Sequence, residues 1–244
     1  MNTISIIFPV YNEVNNLEKL IDNWYTELSK VENILFEFII CEDGSTDGTK
    51  DLIKKLISKY PIKDRSVNYS RGYGQAIVDG IYSSKNEYIL CVDSDGQIKP
   101  ESLLLALSKF PLEEGFLIGK RTPRRDPFLR IVYSKIFKVF HNIVIGSKLS
   151  DPSCPFVLGH TSEYKKLPKE LLLFMKEGFW WGFVAVCTIK NIKLEEMSIS
   201  HFARSHGFSQ VYKIRKMPGI IYRNCVGLIK IKLFHKKYWR DLNN

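Results

Sequence analysis

Two carboxylates spaced two residues apart, Asp93 and Asp95, close the short apolar run Tyr88-Ile-Leu-Cys-Val92. Such a run predicts a buried strand, and in extended backbone an i, i+2 spacing points both acids to one side. With nothing between them the two charges repel. With Mg²⁺ or Mn²⁺ between them they form a mount for a diphosphate, because these ions take one or two carboxylates and leave their other positions to water and phosphate oxygens. Gln97, beyond the Gly96 turn, offers a neutral oxygen to the same ion. The chemistry is that of an enzyme acting on a nucleotide-activated substrate.

Three other groups fall where strands end. Phe8-Pro-Val-Tyr-Asn-Glu13 places Tyr11 beside a nucleotide base, or else supplies Asn12 or Glu13 as a helix cap. In Glu42-Asp-Gly-Ser-Thr-Asp-Gly-Thr49, Asp43 is an acceptor for a base N–H or a ribose hydroxyl, Gly44 allows a tight turn, and Ser45, Thr46 and Asp47 are capping residues. In Arg71-Gly-Tyr-Gly74, Arg71 is a candidate contact for the diphosphate, Gly74 reads as a plain turn, and Asp79 further on reads as a surface charge.

These groups need a scaffold, and the sequence supplies one. Strand signals at Ile4–Pro9, Phe36–Cys41, Val67–Ser70 and Tyr88–Val92 alternate with helical spacing of apolar residues, as in Leu17, Leu20, Ile21, Trp24 and Leu28. That alternation predicts an α/β chain with a mostly parallel, Rossmann-like sheet and flanking helices. In such sheets ligands bind beyond the carboxyl ends of the strands, where Pro9, Asp43 and Asp93 fall. Farther on, a helix is expected over Phe128–Ile145, a Pro-rich turn over Asp151–Pro155 and a strand near Leu194–Ile199.

At 244 residues and 45% hydrophobic content the chain can bury one full core. Five scattered cysteines with no C-x-x-C pair read as reduced thiols of a cytosolic protein. No signal peptide is expected ahead of Ile4, and no apolar run approaches the roughly 20 residues of a membrane span. The net charge of +10 gathers toward the end, where Val211 to Arg240 interleaves nine Lys and Arg with aliphatic and aromatic residues. That basic amphipathic segment suits an anionic membrane surface; packing on the domain is the close alternative, and nucleic acid the least suited partner.

Taken together, the four strand-end groups resemble glycosyltransferase family 2 from Ile4 to about Leu105, and Asp93-Ser-Asp-Gly-Gln97 with Pro100-Glu101 resembles its dolichyl- and polyprenyl-phosphate subgroup. The resemblance implies a GT-A domain over residues 1–207, with a nucleotide-sugar half to about 120 and an acceptor half beyond it, followed by the basic segment 208–244. It implies that Asp93, Asp95 and Gln97 hold the metal and that Pro9, Tyr11, Glu13 and Asp43 contact the nucleotide. Downstream, Gly119-Lys-Arg121, Arg130 with Ser134, Asp151-Pro-Ser-Cys-Pro-Phe156, and His201-Phe-Ala-Arg204 with Gly207 and Ser209 resemble further elements. There Arg121, Arg130, Arg204 and Ser209 are implied contacts for the donor diphosphate and the acceptor phosphate. The chain departs from the pattern at Pro155, where glycine is usual, and at Trp180-Trp-Gly-Phe183, where many relatives carry acidic or small polar residues.

The implied reaction is inverting transfer of a sugar from a UDP- or GDP-sugar to a polyprenyl phosphate, at the inner face of a membrane, with a separate membrane subunit as an open partner. A glycan or glycolipid hydroxyl is the alternative acceptor; it needs a base, for which Asp151 is the candidate, its other role being to cap the Pro-rich turn. A nucleotide-sugar-binding recruitment protein is the non-enzymatic alternative.

Overall fold

The computed structural model describes residues 2–109, 114–203 and 217–242. Strands β1 (Asn2–Val10), β2 (Ile34–Glu42), β3 (Ile62–Asp64), β4 (Tyr88–Cys91), β5 (Phe116–Arg121), β6 (Val157–His160) and β7 (Leu194–Ile199) make one sheet among the described residues, in the order β3-β2-β1-β4-β6-β5-β7. Helices α1 (Leu17–Leu28), α2 (Thr49–Leu56), α3 (Tyr73–Ser83) and α4 (Glu101–Lys109) connect the first half. The second half carries α5 (Phe128–Ile145), α6 (Thr161–Lys166), α7 (Lys169–Leu172), a 3₁₀ turn, α8 (Phe179–Ile189) and α9 (Met217–Leu242).

β1 is buried from Ile4 to Val10 without alternation, as expected of a central parallel strand covered on both faces. It pairs in parallel with β2 and β4, while β6 runs antiparallel to both β4 and β5, with Val157 opposite Cys91 on one side and Ile118 on the other. This reversal has a functional consequence. The loop that enters β6 emerges at the same sheet end as the exits of β4 and β5, so Asp93, Arg121 and Asp151 converge although β6 stands between β4 and β5 in the sheet.

The expected third strand at Val67–Ser70 is corrected. The strand is Ile62–Asp64, and Val67 contributes an isolated bridge to Asp43. Helix α5 and strand β7 occupy the spans read from the sequence.

Helix α8 is apolar on every side and buried from Phe179 to Cys187. It packs against α5 and α9, and Leu228 and Ile231 of α9 are fully buried. The outward faces of α5 and α9 are different. Ile136, Val139 and Ile143 on α5, and Tyr222, Ile229 and Leu233 on α9, are exposed, with exposed Lys135, Lys230 and Lys232 among them. Among the described residues, no helix is long and apolar enough to cross a membrane.

Candidate active site

Beyond the carboxyl ends of the strands lies a cleft of about 480 Å³, a size suited to a small ligand. Pro9, Tyr11, Glu13, Asp93, Asp95 and Gln97 line one side, and Arg121, Arg124, Arg125 and Arg130 the other. Phe137, Trp180 and Trp181 form an apolar wall between them and α9.

On the first side, β1 and β4 exits are tied together by the Ser94 hydroxyl, which donates to the Pro9 carbonyl at 2.7 Å. Asn12, in the left-handed region at φ 56°, stitches the β1 loop to the β2 loop: its N–H donates to Ser45 Oγ, and its Oδ1 accepts from Thr46 N–H, both at 2.9 Å. The Asp93 carboxylate accepts from the Tyr73 hydroxyl at 2.6 Å. Burial, reinforced by the neighbouring Asp95 charge, pushes Asp93 up to about 6. A pair of acids in that condition fits a divalent cation, which would remove the repulsion and restore both charges. Gln97 is clamped to the segment after β7, its Nε2 donating to the Phe202 carbonyl at 2.9 Å, which leaves the amide oxygen as the group that could face a cation.

Asp43 and Arg71 stand behind this wall. Asp43 is buried, and its two oxygens accept from the Ser70 hydroxyl (2.7 Å) and from the backbone N–H groups of Arg71 and Gly72 (both 2.8 Å). The carboxylate thereby holds the loop that opens α3. Gly44 makes this approach feasible: φ is +75°, and a Cβ there would meet the Ser70 nitrogen at 2.5 Å. The Arg71 guanidinium turns to Asp79, which also accepts from Gln75, so Asp79 is a paired group and its reading as a surface charge is corrected. Gly74, read as a turn, lies inside α3 and faces α8, where a Cβ would sit 3.0 Å from the Phe179 ring.

The arginine side is compensated internally. Arg121 is buried; its Nε and Nη2 donate to Asp151 at 2.7 Å each, and Nη2 also reaches Ser153 Oγ at 2.7 Å. Asp126 gathers Arg124 (2.5 Å), Arg130 (2.9 Å) and Arg121 (3.5 Å). Burial raises the Asp151 carboxyl, but the Arg121 fork more than reverses this and holds it at about 2. A carboxylate so firmly ionised and so occupied is a poor proton acceptor, and the structure places Asp151, the candidate general base, as an anchor for Arg121. Glu196 fixes the loop beneath, accepting from the N–H groups of Ser150 and Asp151 at 2.6 and 2.8 Å. His201 accepts the Arg125 N–H on Nδ1 and is depressed to about 4 by burial and the nearby Arg121 charge.

Of the residues expected at the site, the structure gathers Pro9, Tyr11, Glu13, Asp93, Asp95, Gln97, Arg121 and Arg130 around one cleft. Asp43, Arg71 and Asp151 act from behind it, and Arg204 and Ser209 lie outside the described residues. Sequence reasoning gave no role to Asp126, Tyr73 or Trp180. The i, i+4 spacing of Asp126 and Arg130 was an available signal for the first; a tyrosine between two glycines was one for the second.

The model of the family described as Glycosyl transferase family 2 matches residues 5–168. The chain is 28% identical to the dodecaprenyl-phosphate galacturonate synthase of Rhizobium johnstonii over 85% of its own length and 61% of that protein's. It is 30% identical to the dolichyl-phosphate beta-glucosyltransferase of Dictyostelium discoideum, over 94% of this chain and 77% of that one. The glucosyl-3-phosphoglycerate synthase of Mycobacterium tuberculosis, crystallised with Mn²⁺, UDP-glucose and glycerol 3-phosphate, superposes with a TM-score of 0.66 at 16% identity, over 94% of this chain and 80% of that one. At that identity the likeness concerns the fold, and it agrees with the GT-A architecture expected.

Proposed function

The chain belongs to glycosyl transferase family 2, and from that premise we propose that it moves a sugar from a UDP- or GDP-sugar to a polyprenyl or dolichyl phosphate at a membrane surface. The observation that carries this reading is a cleft in which an acid pair faces four arginines, while Asp151, the candidate base read from the sequence, is locked to Arg121. A hydroxyl acceptor must lose a proton to such a base. A phosphate, with a second pKa of about 6, arrives already ionised near neutrality.

In the proposed step an acceptor phosphate oxygen attacks the anomeric carbon from the face opposite the leaving group. The new C–O bond forms as the bond to the donor diphosphate breaks, and the nucleoside diphosphate departs with the electron pair, inverting the centre. Pro9, Tyr11 and Glu13 line the nucleotide, with Asp43 and Arg71 shaping the wall behind. Asp93, Asp95 and Gln97 would hold Mg²⁺ or Mn²⁺, which would supply charge stabilisation for the departing diphosphate. Arg121, Arg124 and Arg130, with Arg204 and Ser209 beyond the described residues, attract the acceptor phosphate; guanidinium forks suit its oxygens. The apolar wall of Phe137 and Trp181 excludes water that would otherwise compete as acceptor.

The acceptor is a lipid, which makes the outward faces of α5 and α9 the fitting contact with an anionic bilayer at the cytoplasmic side. Both helices also line the cleft, through Arg130, Ser134 and Phe137 on α5 and Ile220 and Asn224 on α9. Exposed apolar side chains with lysines among them match an interfacial helix pair. The test combines Mn²⁺, a panel of UDP- and GDP-sugars, and anionic vesicles with or without undecaprenyl phosphate. Sugar recovered on the lipid phosphate is the expected result. Transfer to a saccharide hydroxyl with the lipid phosphate ignored would overturn the acceptor assignment, and failure to sediment with those vesicles at low salt would overturn the membrane contact in favour of a separate anchoring subunit.

A further inference from the structure

Tyr73 is the first residue of α3, and Trp180 lies in the first turn of α8, 107 positions away. Trp180 Nε1–H donates to the Tyr73 hydroxyl oxygen at 2.7 Å, and that hydroxyl donates to Asp93 Oδ1 at 2.6 Å. An indole N–H can only donate, so the phenol oxygen must accept from it and the one hydroxyl proton is aimed at the carboxylate. The direction of the chain is therefore fixed, from α8 to the acid pair.

The surroundings hold both rings in place. Asp43 clamps the Ser70–Gly72 loop that ends at Tyr73. Gly72 takes φ +97° at the start of α3, and Gly74 lets Phe179 approach so closely that the Tyr73 and Phe179 rings meet edge to face at 6.4 Å. Phe179 and Phe183 in turn pack against the Trp180 ring at 5.0 and 5.4 Å. Trp180 is 5% exposed, which makes an indole N–H without a partner costly there.

We infer that Tyr73 and Trp180 are positioning residues for the divalent cation: with Oδ1 of Asp93 engaged by the phenol, the carboxylate presents Oδ2 to the ion in a preset direction, and the acid pair is tethered to the helix that walls the acceptor half. The inference rests on Asp93 being a cation ligand, as proposed above. Outer hydrogen-bond partners of metal ligands are typically worth about 10- to 100-fold in metal affinity. Tyr73 is expected at the low end of that range and Trp180 below it, since the indole acts through the phenol.

The test is Mn²⁺ binding by the full chain, read from the EPR signal of the unbound ion with UDP or GDP present, for wild type, Tyr73→Phe, Trp180→Phe and the double variant. Melting temperatures are read beside each. The expected pattern is about a tenfold loss for Tyr73→Phe, a smaller loss for Trp180→Phe, and a double variant no worse than Tyr73→Phe alone. Saturating Mn²⁺ should return the transfer rate of Tyr73→Phe toward wild type, a rescue that a general packing defect would not permit. Wild-type affinity in Tyr73→Phe, or full additivity of the two losses, overturns the inference. Absence of Mn²⁺ uptake by the wild type with either nucleotide would instead remove the metal reading beneath it.

Discussion

Asp93 and Asp151 are the same chemical group at two sides of one cleft, and their surroundings drive them in opposite directions. Asp93 meets a neutral phenol and a second acid, and rises to about 6. Asp151 meets a bidentate guanidinium and falls to about 2. The β4 side thus sets one acid beside another, whereas the β5 side is a network of arginines whose counter-charges, Asp126 and Asp151, are built into the chain. For the arginines to bind a phosphate, some must trade Asp126 for the incoming oxygens. Asp126 can yield, because its contacts are spread over three arginines; Asp151, gripped at 2.7 Å by both arms of the Arg121 fork with Arg124 at 3.9 Å, is the anchor that stays.

The two sides should differ most at Asp93. Asp93→Asn should lower transfer by on the order of 10²–10³-fold or more, because charge stabilisation of the leaving group fails. The same change should raise the melting temperature of metal-free protein at pH 7.5. A carboxyl raised from 3.8 to about 6 favours its neutral form, so its cost is absent at low pH, grows as pH rises through about 6, and disappears with the amide. Asp151→Asn should do the reverse. It strands a buried guanidinium and should cost roughly 3 kcal/mol or more in denaturant unfolding, with Mn²⁺ affinity unchanged. Equal stability effects at the two positions would erase the distinction.

How much of this was written in the sequence differs between the two sides. The acid pair was legible because it depends on a local pattern: an apolar run, an abrupt end, and a two-residue spacing. Helix α5 and strand β7 were legible for the same reason. The edge strand β3 was misplaced because Lys63 and Asp64 weaken its apolar signal, as edge positions permit. The arginines were visible as residues but not as a network, since the antiparallel insertion of β6 is what brings Asp151 to Arg121, 30 positions away. The Tyr73–Trp180 contact spans both halves and had no local signature.

Acidification offers a third separation. The arginine half keeps two buried histidines neutral: burial lowers His141 to about 4, and burial with the Arg121 charge does the same for His201. A histidine lowered in the folded state from 6.5 to about 4 contributes in full above pH 6.5, and that contribution drains away as pH falls toward 4. His141 alone accounts for about 3 kcal/mol across that window. The melting temperature should therefore fall steeply between pH 6.5 and 4.5. His141→Gln, which keeps a donor for the Trp181 carbonyl, should flatten part of the slope and leave the share due to His201. An unchanged slope in that variant would place the acid sensitivity elsewhere.

The finest test lies where the two halves touch. A methyl group on Gly74 would stand 3.0 Å from the Phe179 ring and 3.4 Å from the Lys176 carbonyl oxygen, so α3 and α8 must part by a few tenths of an ångström. Alanine gains up to about 1 kcal/mol in helix propensity, which offsets that strain, and Gly74→Ala should change unfolding free energy by less than about 1 kcal/mol. Tyr73 and Trp180 sit on the two helices being separated, however, and a hydrogen bond of 2.7 Å tolerates little parting before it weakens. Mn²⁺ affinity should fall several-fold in this variant while stability stays level. If affinity holds as well, the acid pair is positioned by its own strand alone, and the link to the arginine half carries no functional weight.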